Sequence, residues 1–232
     1  MDKTALLLAP HPDDESIVGL LALRLRDECG FRIQVVPATL GSRVERRAAR
    51  QRELQAACAA LGFQPIFLDP AHLQTELAKR LRSRRAGLVI MPHARDGHPR
   101  HRATHWLGVA AMDAAGGVFH VVETEYWHPL ARPNLLVAAS RAHLAALRRA
   151  LRCHRGELAR NDYAARLPAW MSDNVRRGAE LLGGAGSAAP RIAHATLYRA
   201  RIRAGGKWHA LFRGGRIVQS ASDLAALAAA WK

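Results

Sequence analysis

The stretch Ala5-Leu6-Leu7-Leu8-Ala9-Pro10-His11-Pro12-Asp13-Asp14-Glu15 decides how this chain is read. A short apolar run of this kind forms a buried strand, and the two prolines end it. The chain then delivers one imidazole and three consecutive carboxylates to a helix start, a composition suited to a charged ligand rather than to packing. In open α/β sheets, sites form beyond the carboxyl ends of the strands, and the helix N-terminus that follows stabilises negative charge. His11 and Asp14 are three residues apart, so on a bend they can face one point. A histidine with a carboxylate suits a borderline ion such as zinc, although another divalent transition metal could use the same donors.

A catalytic zinc has three protein ligands and one open position for water, so a third ligand must come from elsewhere. The segment Pro92-His93-Ala94-Arg95-Asp96-Gly97-His98-Pro99-Arg100-His101 follows a second apolar run, Gly87-Leu88-Val89-Ile90-Met91, in the same way. With both loops on one sheet edge, His11, Asp14 and one of His98 or His101 would close a metal triad. Asp13 would then stand free beside the bound water.

The first half alternates strands and helices, which argues for parallel βαβ construction. Strands are expected at about 5–9, 33–38, 65–68, 87–91 and 118–122, with helices at about 16–28, 44–61, 71–83 and 101–114. Gly19 would allow close helix-to-sheet packing, and Gly30 and Gly62 stand where helix C-caps belong. No GxGxxG or Walker lysine loop follows the first strand, which disfavours dinucleotide and nucleoside triphosphate roles. Asn134 to Ala138 reads as a further strand, and Ser140 as the N-cap of a helix reaching about Leu158. The run 183–190, rich in glycine and small residues, reads as a linker or loop. Beyond it, residues 191–232 read as a small antiparallel meander with a terminal helix, added to the edge of the main body.

Composition bounds the function classes. Of the 232 residues, 49% are hydrophobic, enough for a sizeable core, yet no run has the length of a membrane span. Asp2 and Lys3 precede an apolar run too short for a signal-peptide core, so a soluble, cytoplasmic protein is expected. Cys29, Cys58 and Cys153 form no CxxC pair and read as reduced thiols. Lys+Arg number 35 against 19 Asp+Glu, a net charge of +16. The arginines are spread over several expected helices, at 43–52, 80–85 and 148–155, with few aromatics among them. Nucleic-acid binding is therefore disfavoured, while an acidic substrate or partner stays open.

Four motifs together carry a family resemblance. The HPDDE of His11 to Glu15, the arginine-rich helix ending at Leu61-Gly62, the DGHPxH of Asp96 to His101 and the EYW of Glu125 to Trp127 resemble the PIG-L/LmbE-like family of zinc-dependent N-acetylglucosaminyl deacetylases, over about residues 4–182. The resemblance implies a Rossmann-like, mostly parallel sheet flanked by helices. It also implies zinc held by His11, Asp14 and His101, with Asp13 as general base and His98 as acid or oxyanion stabiliser. Arg50 matches a position near the family's sugar site, a solvated helix face being the other reading; from the residues themselves, Asp96 caps a turn or touches substrate, and Trp127 belongs to a substrate wall or to an amphipathic lid or rim. The implied reaction is removal of an N-acetyl group from an amino-sugar conjugate through a metal-activated water. Self-association is common in the family.

The chemistry supports those roles independently. Zinc lowers the pKa of its water to roughly 7 and polarises a carbonyl, an unligated carboxylate can take the water proton, and an imidazole can stabilise an oxyanion. One departure bears on the last role: where the family has an acid between Pro and the final His, this chain has Arg100. Without that acid His98 loses a partner that favours the imidazolium, unless Glu123 or Glu125 substitutes. The competing readings are a zinc hydrolase acting on another amide or ester, and a basic nucleic-acid-binding protein with a structural metal.

Overall fold

The computed structural model describes residues 3–84 and 87–231; Asp2 and Arg85 lie outside them. The opening apolar run is strand β1 (Thr4–Ala9), buried along its whole length. It pairs in parallel with β2 (Arg32–Pro37) on one side and β4 (Leu88–Pro92) on the other. β3 (Gln64–Pro65), shorter than the 65–68 strand expected, extends the sheet beyond β2, and β5 (Val118–Thr124) extends it beyond β4. The resulting order β3-β2-β1-β4-β5 is parallel throughout. Successive connections run outward from β1 in opposite directions. The order therefore reverses between β1 and β4, and a crevice forms there beyond the strands' carboxyl ends.

Alternation along β1 builds two cores. Ala5, Leu7 and Ala9 belong to one buried cluster, with helices α2 (Leu20–Cys29), α3 (Arg47–Leu61) and α6 (Arg141–Leu151). Leu6 and Leu8 face the opposite cluster, with α4 (Leu73–Arg84) and α5 (Pro99–Ala115). A strand buried on both faces has to read as a continuous apolar run, as 5–9 does. Gly30 and Gly62 terminate α2 and α3 in the left-handed conformation, with φ of 70° and 65°.

The expected helix over 16–28 is two helices, the short α1 (Asp14–Ile17) and α2, separated at Val18 and Gly19. A Cβ on Gly19 would fall 1.9 Å from the Glu15 carbonyl oxygen, so glycine is required by the backbone of the preceding turn rather than by helix-to-sheet packing. The break is pinned from the far end of the chain. Tyr198, fully buried, donates its hydroxyl proton to the Val18 carbonyl and accepts from the Leu21 amide, each at 3.1 Å. The polar groups exposed by the break are thus satisfied inside the core.

Tyr198 lies on β7 (His194–Ala204), which is an interior strand and not an addition at the edge. It runs antiparallel between β5 and β6 (Leu135–Ala139). Only β8 (Lys207–Ala210) completes an antiparallel hairpin with it. β9 (Arg216–Val218) leaves the hairpin and pairs in parallel with β6. The buried Arg24 of α2 locks this region by donating to the carbonyls of Ala138, Val218 and Ser220. Ser140 caps α6 as expected, but that helix ends at Leu151, and α7 (Arg155–Leu158) is separate. α8 (Tyr163–Gly183), unforeseen from the sequence, packs along β7 and β6, and α9 (Ala221–Ala229) closes the chain against α2. No described helix is long and apolar enough to cross a membrane.

Candidate active site

β1 and β4 are neighbours, so the loops leaving their carboxyl ends meet over the crevice between them. The first carries His11, Asp13 and Asp14; the second carries Asp96 and His98 and leads into α5 with His101. Ring nitrogens of His11, His98 and His101 lie within 4.8 Å of one another. Asp14 belongs to the same cluster: its carboxylate stands 3.4 Å from His11 Nδ1 and 3.5 Å from His101 Nε2. The residues expected as ligands, His11, Asp14 and His101, are therefore brought together, and His98 stands beside them.

Hydrogen bonds assign the histidine faces. Asp96, 2% exposed, accepts from the His98 amide at 2.8 Å and sets its other oxygen 3.3 Å from His101 Nδ1. That carboxylate favours the Nδ1-protonated tautomer of His101 and leaves Nε2 turned toward Asp14. Asp96 thus holds His101 and the His98 amide with its two carboxylate oxygens. His98 N-caps α5, its Nδ1 accepting from the Arg100 amide at 3.1 Å. A neutral His98 must then carry its proton on Nε2. Burial, followed by the His11 and His101 rings, lowers the His98 pKa, so the neutral donor is the favoured form. Neither Glu123 nor Glu125 replaces the acid whose place Arg100 takes: Glu123 is engaged by Arg201 at 2.6 Å, and Glu125 by Arg177 and the Leu130 amide. His93 and His105 are buried, each with a ring nitrogen 3.0 Å from a carbonyl, of His128 and Pro92 respectively.

Asp13 is the one non-glycine residue with positive φ among those described, at 122°. This conformation costs about 1–3 kcal/mol and persists only where the surroundings impose it. Glu15 supplies the restraint. Fully buried, it accepts from the Asp13 amide at 2.9 Å, from Ser16 Oγ at 2.6 Å and from His154 Nε2 at 2.8 Å. Burial, reinforced by the Asp14 and Glu15 carboxylates, raises the Asp13 pKa well above the usual range, with Arg50 opposing. For Asp14 burial acts in the same direction, but His101 and His11 outweigh it and lower the value. The Asp14 carboxylate beside the clustered imidazoles forms a donor set that fits a divalent cation, whose charge would offset the repulsion around Asp13.

The cluster opens into a cleft of about 410 Å³. Arg50 lines it while donating to the Pro12 carbonyl at 3.0 Å, and Arg100 and Trp127 line it too. Trp127, 46% exposed, has its ring 5.2 Å from Tyr126 and 5.8 Å from Tyr163, both edge-on. Sequence reasoning missed the opposite wall, formed by Glu157, Arg160, Asn161 and Tyr163. Its only signal was a polar stretch, Arg155 to Tyr163, following an amphipathic helix.

A family model described as PIG-L: GlcNAc-PI de-N-acetylase matches residues 6–112, the segment from β1 through most of α5. Residues 6–112 are a PIG-L family domain. Solved structures share the fold of the PIG-L domain and of most of the chain beyond it. N,N'-diacetylchitobiose deacetylase from Pyrococcus horikoshii is 18% identical with a TM-score of 0.65, covering 85% of this chain and 83% of that one. GalB, the 4-carboxy-2-hydroxymuconate hydratase from Pseudomonas putida KT2440, is 19% identical with a TM-score of 0.64, covering 85% and 95%. The A40926 pseudoaglycone deacetylase Dbv21 is 17% identical with a TM-score of 0.59, covering 86% and 96%. No curated protein sequence matches the chain.

Proposed function

We propose that this protein is a metal-dependent N-deacetylase acting on N-acetylglucosamine-type conjugates. The observation that supports the reading is that His11, Asp13, Asp14 and His98 line one cleft, with His101 beside Asp14 and its ring nitrogens close to those of His11 and His98. The PIG-L family description and two deacetylase neighbours favour this reaction, while the hydratase among the neighbours shows that the fold alone does not select it.

His11, Asp14 and His101 would hold the ion, zinc being the one that suits two imidazoles and a carboxylate. When bound, it supplies Lewis acidity toward water and an amide carbonyl. Asp13, left outside that ligand set, would accept the proton of the attacking water, and its backbone is fixed by Glu15. His98 donates from Nε2 to the oxyanion of the tetrahedral intermediate, a role that a neutral imidazole fills without the acid replaced by Arg100. The proton taken by Asp13 is then available to the leaving amine. Trp127 and Arg50 flank the sugar, Trp127 as an apolar wall and Arg50 as a donor.

Acetate release from N-acetylglucosamine and N,N'-diacetylchitobiose tests the reading. Release should stop on chelation and return with added zinc. Hydrolysis of ester or non-sugar amide substrates alone would assign another zinc hydrolase, and no hydrolysis of any of them would overturn the proposal.

A further inference from the structure

The peptide unit joining Pro12 to Asp13 is gripped at both ends. Its carbonyl accepts from Arg50 Nη2 at 3.0 Å, and its amide, the Asp13 N–H, donates to Glu15 at 2.9 Å. A peptide unit is planar, so fixing both polar ends fixes the plane, and with it ψ of Pro12 and φ of Asp13. The proline ring already sets φ of Pro12. Asp13 is therefore kept at its φ of 122° from two directions.

Both grips lead back to one short element. Glu15 accepts from His154 Nε2 at 2.8 Å, and the Glu157 carboxylate stands 3.9 Å from Arg50. His154 is the N-cap residue of α7, and Glu157 lies within that helix. α7 is in turn tied to α3: the Gly156 amide donates to Glu53 at 3.0 Å, and Arg46 donates to the Gly156 carbonyl at 3.4 Å. The His154 arm is the closer one and is wholly buried. Glu157 also pairs with Arg160 at 3.6 Å, so its hold on Arg50 is shared. Among the described residues that line the cleft, Glu157 is one and His154 is not. Any effect of His154 on the reaction must then pass through Glu15. A buried pair that served stability alone could hold relaxed backbone equally well, whereas this one holds a conformation that side chains rarely adopt. α7 also lies beyond residues 6–112, the segment that the family model matches.

We propose that His154 and Glu157 are positioning residues for Asp13: acting through Glu15 and Arg50, α7 holds the Pro12–Asp13 peptide so that the Asp13 carboxylate meets the water proton. The inference rests on the deacetylase reading for the role of Asp13 as base, and not for the grip itself.

Rates of acetate release from N,N'-diacetylchitobiose by the zinc-loaded protein, with hydrogen exchange of the Asp13 amide followed by NMR, test this. Misplacing a reacting group by about 1 Å can cost about 10²-fold, so His154→Ala should lower kcat by about 10–100-fold while KM moves less than about 3-fold. Its Asp13 amide should exchange faster than that of wild type, with metal content unchanged. His154→Gln, which keeps a donor, should recover most of the rate, and Glu157→Gln should lose less than His154→Ala. The deciding comparison is His154→Ala added to Asp13→Asn. A residue that acts through Asp13 has nothing left to position there, so the further loss should be under about 2-fold. Should His154→Ala not fold in thermal melts, Glu157→Gln in the two backgrounds carries the same comparison. An unchanged kcat, an equal loss in both backgrounds or unchanged exchange at Asp13 would each overturn the proposal and leave the deacetylase reading standing. No acetate release by the wild type would overturn that reading instead, and the exchange rates would still decide the grip.

Discussion

Replacing His154 tests how the backbone of Asp13 is held. The imidazole and Glu15 are both buried, 1% and 0% exposed, and meet at 2.8 Å. Burial alone would lower the His154 pKa, but the Glu15 carboxylate outweighs it and raises the value. His154→Ala leaves a buried carboxylate with two neutral donors, Ser16 Oγ and the Asp13 amide. Breaking a buried pair costs about 3–5 kcal/mol, and the two surviving donors place this case near the lower end, about 3 kcal/mol. In a chain of this length that corresponds to a fall in Tm of roughly 6–12 °C. His154→Gln keeps a neutral donor and should lose about half as much. A group whose pKa is raised by folding contributes stability that is complete below its unfolded value, about 6.5, and is lost as pH rises through the folded value. The gap between wild type and His154→Ala should therefore be widest near pH 6 and narrow toward pH 9, as followed by calorimetric melts. A loss under ~1 kcal/mol at pH 6, or a gap that does not narrow, would refute the restraint assigned to this pair.

Two further substitutions probe the core and the cleft. Tyr198→Phe strands the Leu21 amide and Val18 carbonyl in the break between α1 and α2, and should cost about 1–3 kcal/mol by denaturant unfolding, although the site lies far away in sequence. Trp127→Ala removes an exposed wall of the cleft, and should raise KM by about 10-fold with kcat changed less, as read from initial rates of acetate release.

The parallel half of the fold was legible because β1 and β4 are short apolar runs that lead into helices, and glycines at Gly30 and Gly62 mark where helices stop. The clustering of His11, Asp14, His98 and His101 was legible because these residues lie in two compact motifs at the ends of adjacent strands. What could not be read depends on pairing over long separations. β7 enters the sheet beside β5, some 80 residues earlier, for instance Val121 with Arg201, and no local pattern distinguishes an interior antiparallel strand from an edge one. The Glu15–His154 contact spans 139 residues, and a lone histidine before a short helix gives no sign of it. The helix break at Gly19 was hidden because Leu20 to Cys29 continues the same helical composition, and the clash that demands glycine is with a backbone oxygen. Asp96 was ambiguous for another reason. A turn-capping aspartate and a substrate ligand have the same sequence, and its carboxylate's contact with His101 is set by the fold rather than by the local motif.

The most direct test of the central claim is acetate release by Asp13→Asn and wild type, with the metal content of both measured in the same samples. Asp13 is assigned to proton transfer and not to the ion, so the variant should keep the wild-type metal stoichiometry while its rate falls by about 10²–10⁴. A rate within about tenfold of wild type, or loss of the metal with Asp13, would contradict the account.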